Sequence, residues 1–434
     1  MAFIPDIEKQ SLQAQADFQA ERLKETLLYL QQRSPFYQRM FREHSIDISA
    51  VRDLSGLRSL PTTGKQDIQQ HNSDFICVPP AEIREYVSTS GTMGMPVMVA
   101  LTEKDQQRLA YNEYLSFQCL DTIPGDVFQL MLTLDRQFMA GMAYYGGLGL
   151  AGAAAVRTGP GLPAMQWDTI RALGTTGLVA VPSFLLKMIE YAAQKQEDPH
   201  ATAVKKVLAI GESLRDDQLQ PNALARKIQS GWNVKLYGTY ASTEMQTAFT
   251  ECSAGQGGHH HPELIIVELL DDEGRPVAPG ERGEVVITTL GIEGMPLLRY
   301  RTGDICRAYY EPCNCGRSTL RLGPVLGRKQ QMIKLKGTSL YPPALFEVLN
   351  QAEAVKEYVI EVGTDAAGQD DLTIHLHTTL LPEHCDAYLK PLLQHRLRVL
   401  PRISYREAEE IQRMQFPANS RKQVRFIDKR ITNS

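Results

Sequence analysis

Apolar positions along the chain follow three successive patterns. Over residues 6–43, in "DFQAERLKETLLYLQQRSPFYQRMF", Phe18, Leu23, Leu27 and Leu30 recur at helical spacing, which predicts a helix that Pro35 ends or kinks. From about residue 85 to 305, short apolar runs ("DVFQLMLTL", "GLVAVP", "KKVLAIG", "VKLYGTY") alternate with helical or glycine-rich stretches. That is the pattern of α/β layers. Within it, "LIIVELLDDEGRPVAPGERGEVVITTL" predicts antiparallel strands at 264–270 and 283–290 around an Asp-Glu-Gly turn. After "GRKQQMIKLKG" (327–337) the order is helix, strand, strand, helix and a final strand "RKQVRFIDKR". This reads as a separate α+β unit of about a hundred residues, an independent domain size. No internal repeat or low-complexity tract interrupts these patterns.

A chain of 434 residues exceeds one compact core and calls for two or three domains. A net charge of −4 supplies no basic field for nucleic acid, and no apolar run approaches the ~20 residues of a membrane span. The start, "MAFIPDIEKQSLQ", has no charged region followed by an apolar one, so a secretory signal is not expected and the cytoplasm is the expected compartment. Three of the seven cysteines, Cys306, Cys313 and Cys315, crowd into ten residues. Without an export signal, such a cluster reads as metal binding before it reads as disulfide.

Several short stretches carry candidate chemistry. "YVSTSGTMGMPVMV" (86–99) places Ser88, Thr89, Ser90, Gly91, Thr92 and Gly94 between apolar flanks. It is either a glycine hairpin or a loop whose N–H groups and hydroxyls wrap an anion. It lacks the lysine and spacing of a Walker loop. Gly147, Gly149 and Gly152 match a dinucleotide spacing, but no helix opening or distant acid follows. Close helix packing explains them better. "GTYASTEM" (238–245) groups Tyr240, Ser242, Thr243 and Glu244, suited to stacking a base and holding a cation. "PLLRYRTGDI" (296–305) sets Arg299, Arg301 and Asp304 in an expected turn, with Asp304 either a turn residue or a ligand for a ribose diol. "GRKQQMIKLKG" suits a hinge.

Taken in order, "STSGTMGMP", "YASTE", "RYRTGD", "GRKQQMIKLKG" and "RKQVRFID" resemble the adenylate-forming acyl-CoA ligases, and within them the phenylacetate-CoA ligase branch. The N-terminal helix resembles that branch as well, so the likeness spans nearly the whole chain. The resemblance implies a large N-terminal domain (1–327) of layered α/β with a β-barrel-like subdomain, and a small mobile α+β domain (328–434). It implies that Ser88, Thr89, Ser90, Gly91 and Thr92 grip the β- and γ-phosphates of ATP. Gly211, Glu212 and Ser213 would lie beside the purine, with Tyr240 stacked on it and Ala241 and Ser242 in the same motif. Thr243 would touch the α-phosphate, Glu244 would hold Mg²⁺, Asp304 would bind the ribose, Arg328 would support it, and Lys422 would be the catalytic lysine. "YGTYASTE" also aligns through Tyr237. The chain departs from the family at Lys329 and Gln330, where an acidic pair is usual, and at Arg421, where glycine usually precedes the lysine.

Cys252, His259, Cys313 and Cys315 make a Cys₃His zinc set. The branch often carries such a site in a structural role. His259 fits its Cys-x₆-His spacing, with His261 on the same strand face as the fallback. Buried cysteines beside a surface histidine run are the alternative. The implied reaction joins a carboxylic acid, phenylacetate or a related aryl acid, to coenzyme A through acyl-AMP. Apolar residues 138–150 would wall the acyl pocket. Transfer to a carrier-protein thiol is one alternative. The other is a zinc-stabilised nucleotide sensor, against which Glu244 and Lys422 speak. The partners implied are the acid, ATP and coenzyme A, with neither nucleic acid nor membrane. A homodimer remains open.

Overall fold

A computed structural model of the chain describes residues 3–89, 97–335, 338–365, 369–417 and 423–430. The chain divides into two compact units. One comprises residues 1–221, 225–302 and 306–324, the other 222–224, 303–305 and 325–434.

In the first unit, α1 (Leu12–Arg33) begins at Ser11, whose side chain accepts from the Ala14 N–H. Leu23, Leu27 and Leu30 form its buried stripe, while Phe18 is only half-buried. Gln19 is buried instead, because its amide donates to the Pro262 and Ile265 carbonyls at 3.1 and 2.9 Å. Pro35 opens α2 (Pro35–Glu43), capped by Ser34. A proline at the first helical position forfeits no hydrogen bond. Short α3 (Leu54–Leu57) and α4 (Lys65–His71) lead to an antiparallel pair, β1 (Glu85–Ser88) and β2 (Met98–Leu101).

Helix α5 (Glu103–Cys119), with a Thr102/Asp105 capping box, packs tightly on α6 (Met139–Ala151). A Cβ on Gly147 would stand 2.7 Å from Cβ of Glu113. The glycine-rich stretch thus serves close helix approach. Of residues 138–150, the expected acyl-pocket wall, all but Phe138 lie in α6.

Between and after these helices run β3 (Val127–Leu130), β4 (Ala154–Arg157), α7 (Pro163–Leu173), β5 (Gly177–Ala180), α8 (Pro182–Gln194), β6 (Lys206–Ala209), α9 (Ala223–Gly231), β7 (Lys235–Ser242) and β8 (Thr247–Thr250). The strands form one sheet in the order β4-β3-β5-β6-β7-β8, parallel except for β8. Strand β5 is buried along its whole length, as expected of a parallel strand covered on both faces.

A second sheet takes β9 (Gly258–His259), β10 (Ile265–Leu270), β11 (Arg282–Thr289), β12 (Tyr300–Tyr309) and β13 (Arg321–Leu322), in the order β10-β11-β12-β13-β9. The antiparallel hairpin read from residues 264–290 is present, with Ile265 opposite Thr289 and Leu270 opposite Glu284. The expected turn at 296–305 is largely strand. Arg301 pairs with Glu284 of neighbouring β11, and such a cross-strand ion pair favours extended backbone. Arg299 stands just before β12 in a left-handed conformation (φ +46) and reaches Glu268 of β10.

In the second unit, β14 (Gly327–Arg328) pairs with Asp304 and Ile305 of β12. Then come β15 (Ile333–Leu335), β16 (Thr338–Leu340), α10 (Pro342–Gln351), β17 (Glu357–Thr364), β18 (Asp370–His377), α11 (Pro382–Leu397), β19 (Arg402–Tyr405), α12 (Ala408–Gln415) and β20 (Phe426–Asp428). The sheet order is β19-β18-β17-β20. Alternate residues Tyr358, Ile360 and Val362 of β17 face a core shared with Leu345, Leu389 and Leu393. Strand β15 falls where 327–337 reads as a Gly-Arg turn leading into a basic strand, whereas β16, β19 and α12 were not anticipated from the sequence. They are short, and α12 is mostly polar.

Candidate functional site

Ligands of parallel α/β sheets bind beyond the carboxyl ends of the strands. Residues Gly211, Glu212 and Ser213 follow β6 at that edge. One Glu212 carboxylate oxygen accepts from the Ser183 N–H in the first turn of α8 at 2.7 Å. Ser213 Oγ donates to the Arg215 carbonyl at 2.9 Å and accepts from its N–H at 3.3 Å. The β6–β7 register places Ala209 opposite Gly238, so this loop lies beside the start of "GTYASTE".

Strand β7 continues through Tyr240, Ala241 and Ser242 and turns back at Thr243 and Glu244 into β8. The Ser242 hydroxyl accepts from the Met245 N–H at 3.3 Å. Tyr240 is half-buried and stacks on Phe249 at 5.9 Å between centroids. Tyr237 points the other way into the core, where burial pushes its phenol up to about 12. Ala241 is exposed, while Thr243 and Glu244 are half-buried.

Buried Arg108 of α5 pins this hairpin. It donates to the carbonyls of Gln246 at 2.7 Å, Leu264 at 2.6 Å and Leu290 at 2.9 Å, and to Thr247 Oγ1 at 3.1 Å. Desolvation lowers its guanidinium to about 10. The sequence reading missed Arg108, since one arginine on a helix carries no signal before the fold brings acceptors to it.

Of the expected phosphate loop, Ser88 ends β1 and Thr89 is buried beside it. Thr89 N–H donates to the Val97 carbonyl at 3.0 Å, and its Oγ1 accepts from the Val97 N–H at 3.0 Å. Ser90, Gly91 and Thr92 lie outside the described residues, as does Lys422. In the second unit, Asp304 and Arg328 face each other across paired strands. Arg328 Nε donates to the buried Asp304 carboxylate at 2.9 Å.

Cys252, His259, Cys313 and Cys315 converge in the first unit, their ligand atoms all within 4.8 Å of one another. Cys252 Sγ lies 3.6 Å from Cys313 Sγ, and Cys315 Sγ lies 3.5 Å from His259 Nε2. A tetrahedral zinc with ordinary bond lengths sets sulfurs about 3.8 Å apart, and sulfur and nitrogen about 3.5 Å apart. Donor type and spacing therefore fit zinc. The knuckle is closed by the Cys313 N–H to the Arg317 carbonyl at 2.8 Å and the Gly316 N–H to the Cys313 carbonyl at 2.9 Å. Hydrogen bonds from Cys252 and Cys313, together with His259, hold the Cys315 thiol down.

His261 turns away from this cluster. Its Nδ1 meets Glu8 Oε1 at 2.5 Å. Arg317 joins the two groups, with Nε donating to Glu8 Oε2 at 2.7 Å and a guanidinium nitrogen 3.6 Å from Cys315 Sγ. Burial alone raises the Glu8 carboxyl, but the His261 and Arg317 contacts outweigh it and hold it below the ordinary range.

The family of AMP-binding enzymes matches residues 29–293, more than half of the chain. The chain belongs to that family. Its similar relatives include the phenylacetate-coenzyme A ligase of Thermus thermophilus, 29% identical over 83% of this chain and 81% of that protein. The phenylacetate-coenzyme A ligase of Escherichia coli is 27% identical over 82% and 81%. Among solved structures, a 2-hydroxyisobutyryl-CoA ligase in complex with R3-HIB-AMP superimposes with a TM-score of 0.85 at 21% identity, covering 98% of this chain and 94% of that one. This likeness bears on the fold, which the AMP-binding enzyme shares through both its large and its small part. Among the described residues, no helix is long and apolar enough to cross a membrane.

Proposed function

We propose that this AMP-binding enzyme is an AMP-forming acid–thiol ligase that activates phenylacetate or a related aryl acid as acyl-AMP and transfers the acyl group to coenzyme A. The observation that carries the reading is the adjacency of Gly211–Ser213 and Gly238–Glu244 at neighbouring carboxyl ends of the parallel sheet. The named activity of the phenylacetate-CoA ligase relatives supports it, as does the acyl-adenylate bound in the solved ligase.

In this reading Gly211, Glu212, Ser213, Ala241 and Ser242 border the adenine and Tyr240 stacks on it. Asp304 binds the ribose hydroxyls, steadied by Arg328. Loop residues Ser88 to Thr92 hold the β- and γ-phosphates, and Thr243 the α-phosphate. Glu244 would hold Mg²⁺, which offsets phosphate charge when bound. A carboxylate oxygen attacks the α-phosphorus, and the bond to the pyrophosphate oxygen breaks. Lys422, borne on the mobile C-terminal domain (328–434), stabilises the charge that grows there. The thiolate of coenzyme A then attacks the acyl carbon, and AMP leaves with the electrons of the acyl–oxygen bond. Cys252, His259, Cys313 and Cys315 would hold a structural zinc, a four-ligand site with no open position for chemistry.

Pyrophosphate release, measured with a panel of carboxylic acids with and without coenzyme A, tests the reading. Release with aryl acids and coenzyme A-dependent thioester formation is expected. Release without a coenzyme A thioester would favour a carrier-protein acceptor. No release with any acid would favour a nucleotide sensor.

A further inference from the structure

We infer that Arg215 and Glu251 are a positioning pair that sets the nucleotide loop against the metal-binding segment, so that ATP affinity depends on their fork-shaped contact. The inference rests on the reading of residues 211–213 as the purine-side loop.

Glu251 follows β8 and immediately precedes Cys252. Its carboxylate receives Arg215 Nε at 3.2 and 3.1 Å and a second guanidinium nitrogen at 3.1 Å. The same carboxylate accepts from the Gly238 N–H at 3.4 Å, and the Glu251 N–H donates to the Gly238 carbonyl at 2.9 Å. One side chain therefore touches Gly238 of one proposed adenine segment and, through Arg215, adjoins the other. On the other side, Gly255 lies between the ligands Cys252 and His259 at φ +60, and a Cβ there would stand 2.2 Å from the Arg215 guanidinium. The metal-binding turn thus rests directly on the arginine.

Both side chains are mostly buried. A buried ion pair adds little stability over an apolar pair of like volume. What the pair adds is orientation, because guanidinium and carboxylate match in one plane and one direction. Arg215 is two residues from Ser213 and closes a turn with it. The angle of the guanidinium therefore sets the loop. Neither residue belongs to the motifs that carry the family resemblance, so reading the chain alone does not single them out.

Arg215→Lys keeps the charge and loses the fork. Glu251→Gln keeps the shape and loses the charge. We expect each to weaken ATP binding about ten-fold, a 1.4 kcal/mol change. Binding is measured by calorimetry without acid, and steady-state kinetics should show a matching rise in the KM for ATP. The kcat, the KM for the acid and the bound zinc should stay within about two-fold of the parent. The reversed pair, Arg215→Glu with Glu251→Arg, should recover part of the loss. If the parent binds ATP and both variants bind it equally well, the inference fails while the nucleotide-site reading stands. Joint loss of kcat, both KM values and thermal stability would mean a purely structural role and would also overturn it. Absence of ATP binding by the parent would overturn the nucleotide-site reading, and the inference with it.

Discussion

Glu8 and Arg317, 309 residues apart, meet inside the first unit, with Nε donating to the carboxylate at 2.7 Å. The contact anchors the N-terminal segment beside the cysteine cluster, because the Ser318 N–H also donates to the Glu8 carbonyl at 2.8 Å. Glu8→Gln leaves the guanidinium without its counter-charge. Urea unfolding should show a loss of about 3–5 kcal/mol. Arg317→Met added to Glu8→Gln should restore part of it, since no unpaired guanidinium then remains. Equal stability of parent and single variant would show that the pair is immaterial.

Glu113 makes a pH prediction. Burial between α5 and α6 raises its carboxyl from 4.5 to about 8. The folded protein then holds a proton that the unfolded chain has released, so stability falls as pH rises from 4.5 to 8. The expected contribution is a slope of up to about 1.4 kcal/mol per pH unit. Denaturation curves of Glu113→Gln across this window should lack that component. A variant with the parent's slope would refute it.

Metal analysis of the purified protein should find one zinc per chain, and none in Cys313→Ser. Because structural zinc contributes folding free energy directly, a strong chelator should lower the melting temperature of the parent and leave the variant unchanged. A parent without zinc and with four unligated side chains would end the proposal.

Lys422→Ala should slow acyl-AMP formation about a hundred-fold or more, since a charge aimed at the developing phosphorane acts in the transition state. The same variant given synthetic acyl-AMP and coenzyme A should form thioester at a near-parental rate. Equal loss in both steps would make Lys422 a general or structural residue.

Patterns of side chains revealed the architecture better than they revealed its joints. The runs that became β3, β5, β6, β7, β10 and β11 stand out because continuous apolar strands between turns carry a strong signal. Arg301 misled, since a charged residue beside a Thr-Gly pair reads as a turn until Glu284 supplies its partner on the adjacent strand. Cys313 and Cys315 announced themselves by spacing. The separation of His259 from His261 did not. That choice depends on Glu8, which lies 253 residues from His261 and competes for its ring. Arg108, Arg215 and Glu251 were invisible for the same reason, being defined by acceptors and donors that only tertiary structure assembles.

The cysteine cluster draws its ligands from two stretches, Cys313 lying 61 positions after Cys252. A ribosome delivers those stretches one after the other. When β8 has emerged, the parallel sheet has all its strands, yet a metal ion would find at most Cys252 and His259 to grasp. Only after Cys315 leaves the exit tunnel can four ligands surround it, and only after Arg317 can Glu8 be locked in. If the four side chains hold zinc as proposed, its loading is a late event in synthesis. A nascent chain stalled before residue 313 would carry a half-site and a free N-terminal end.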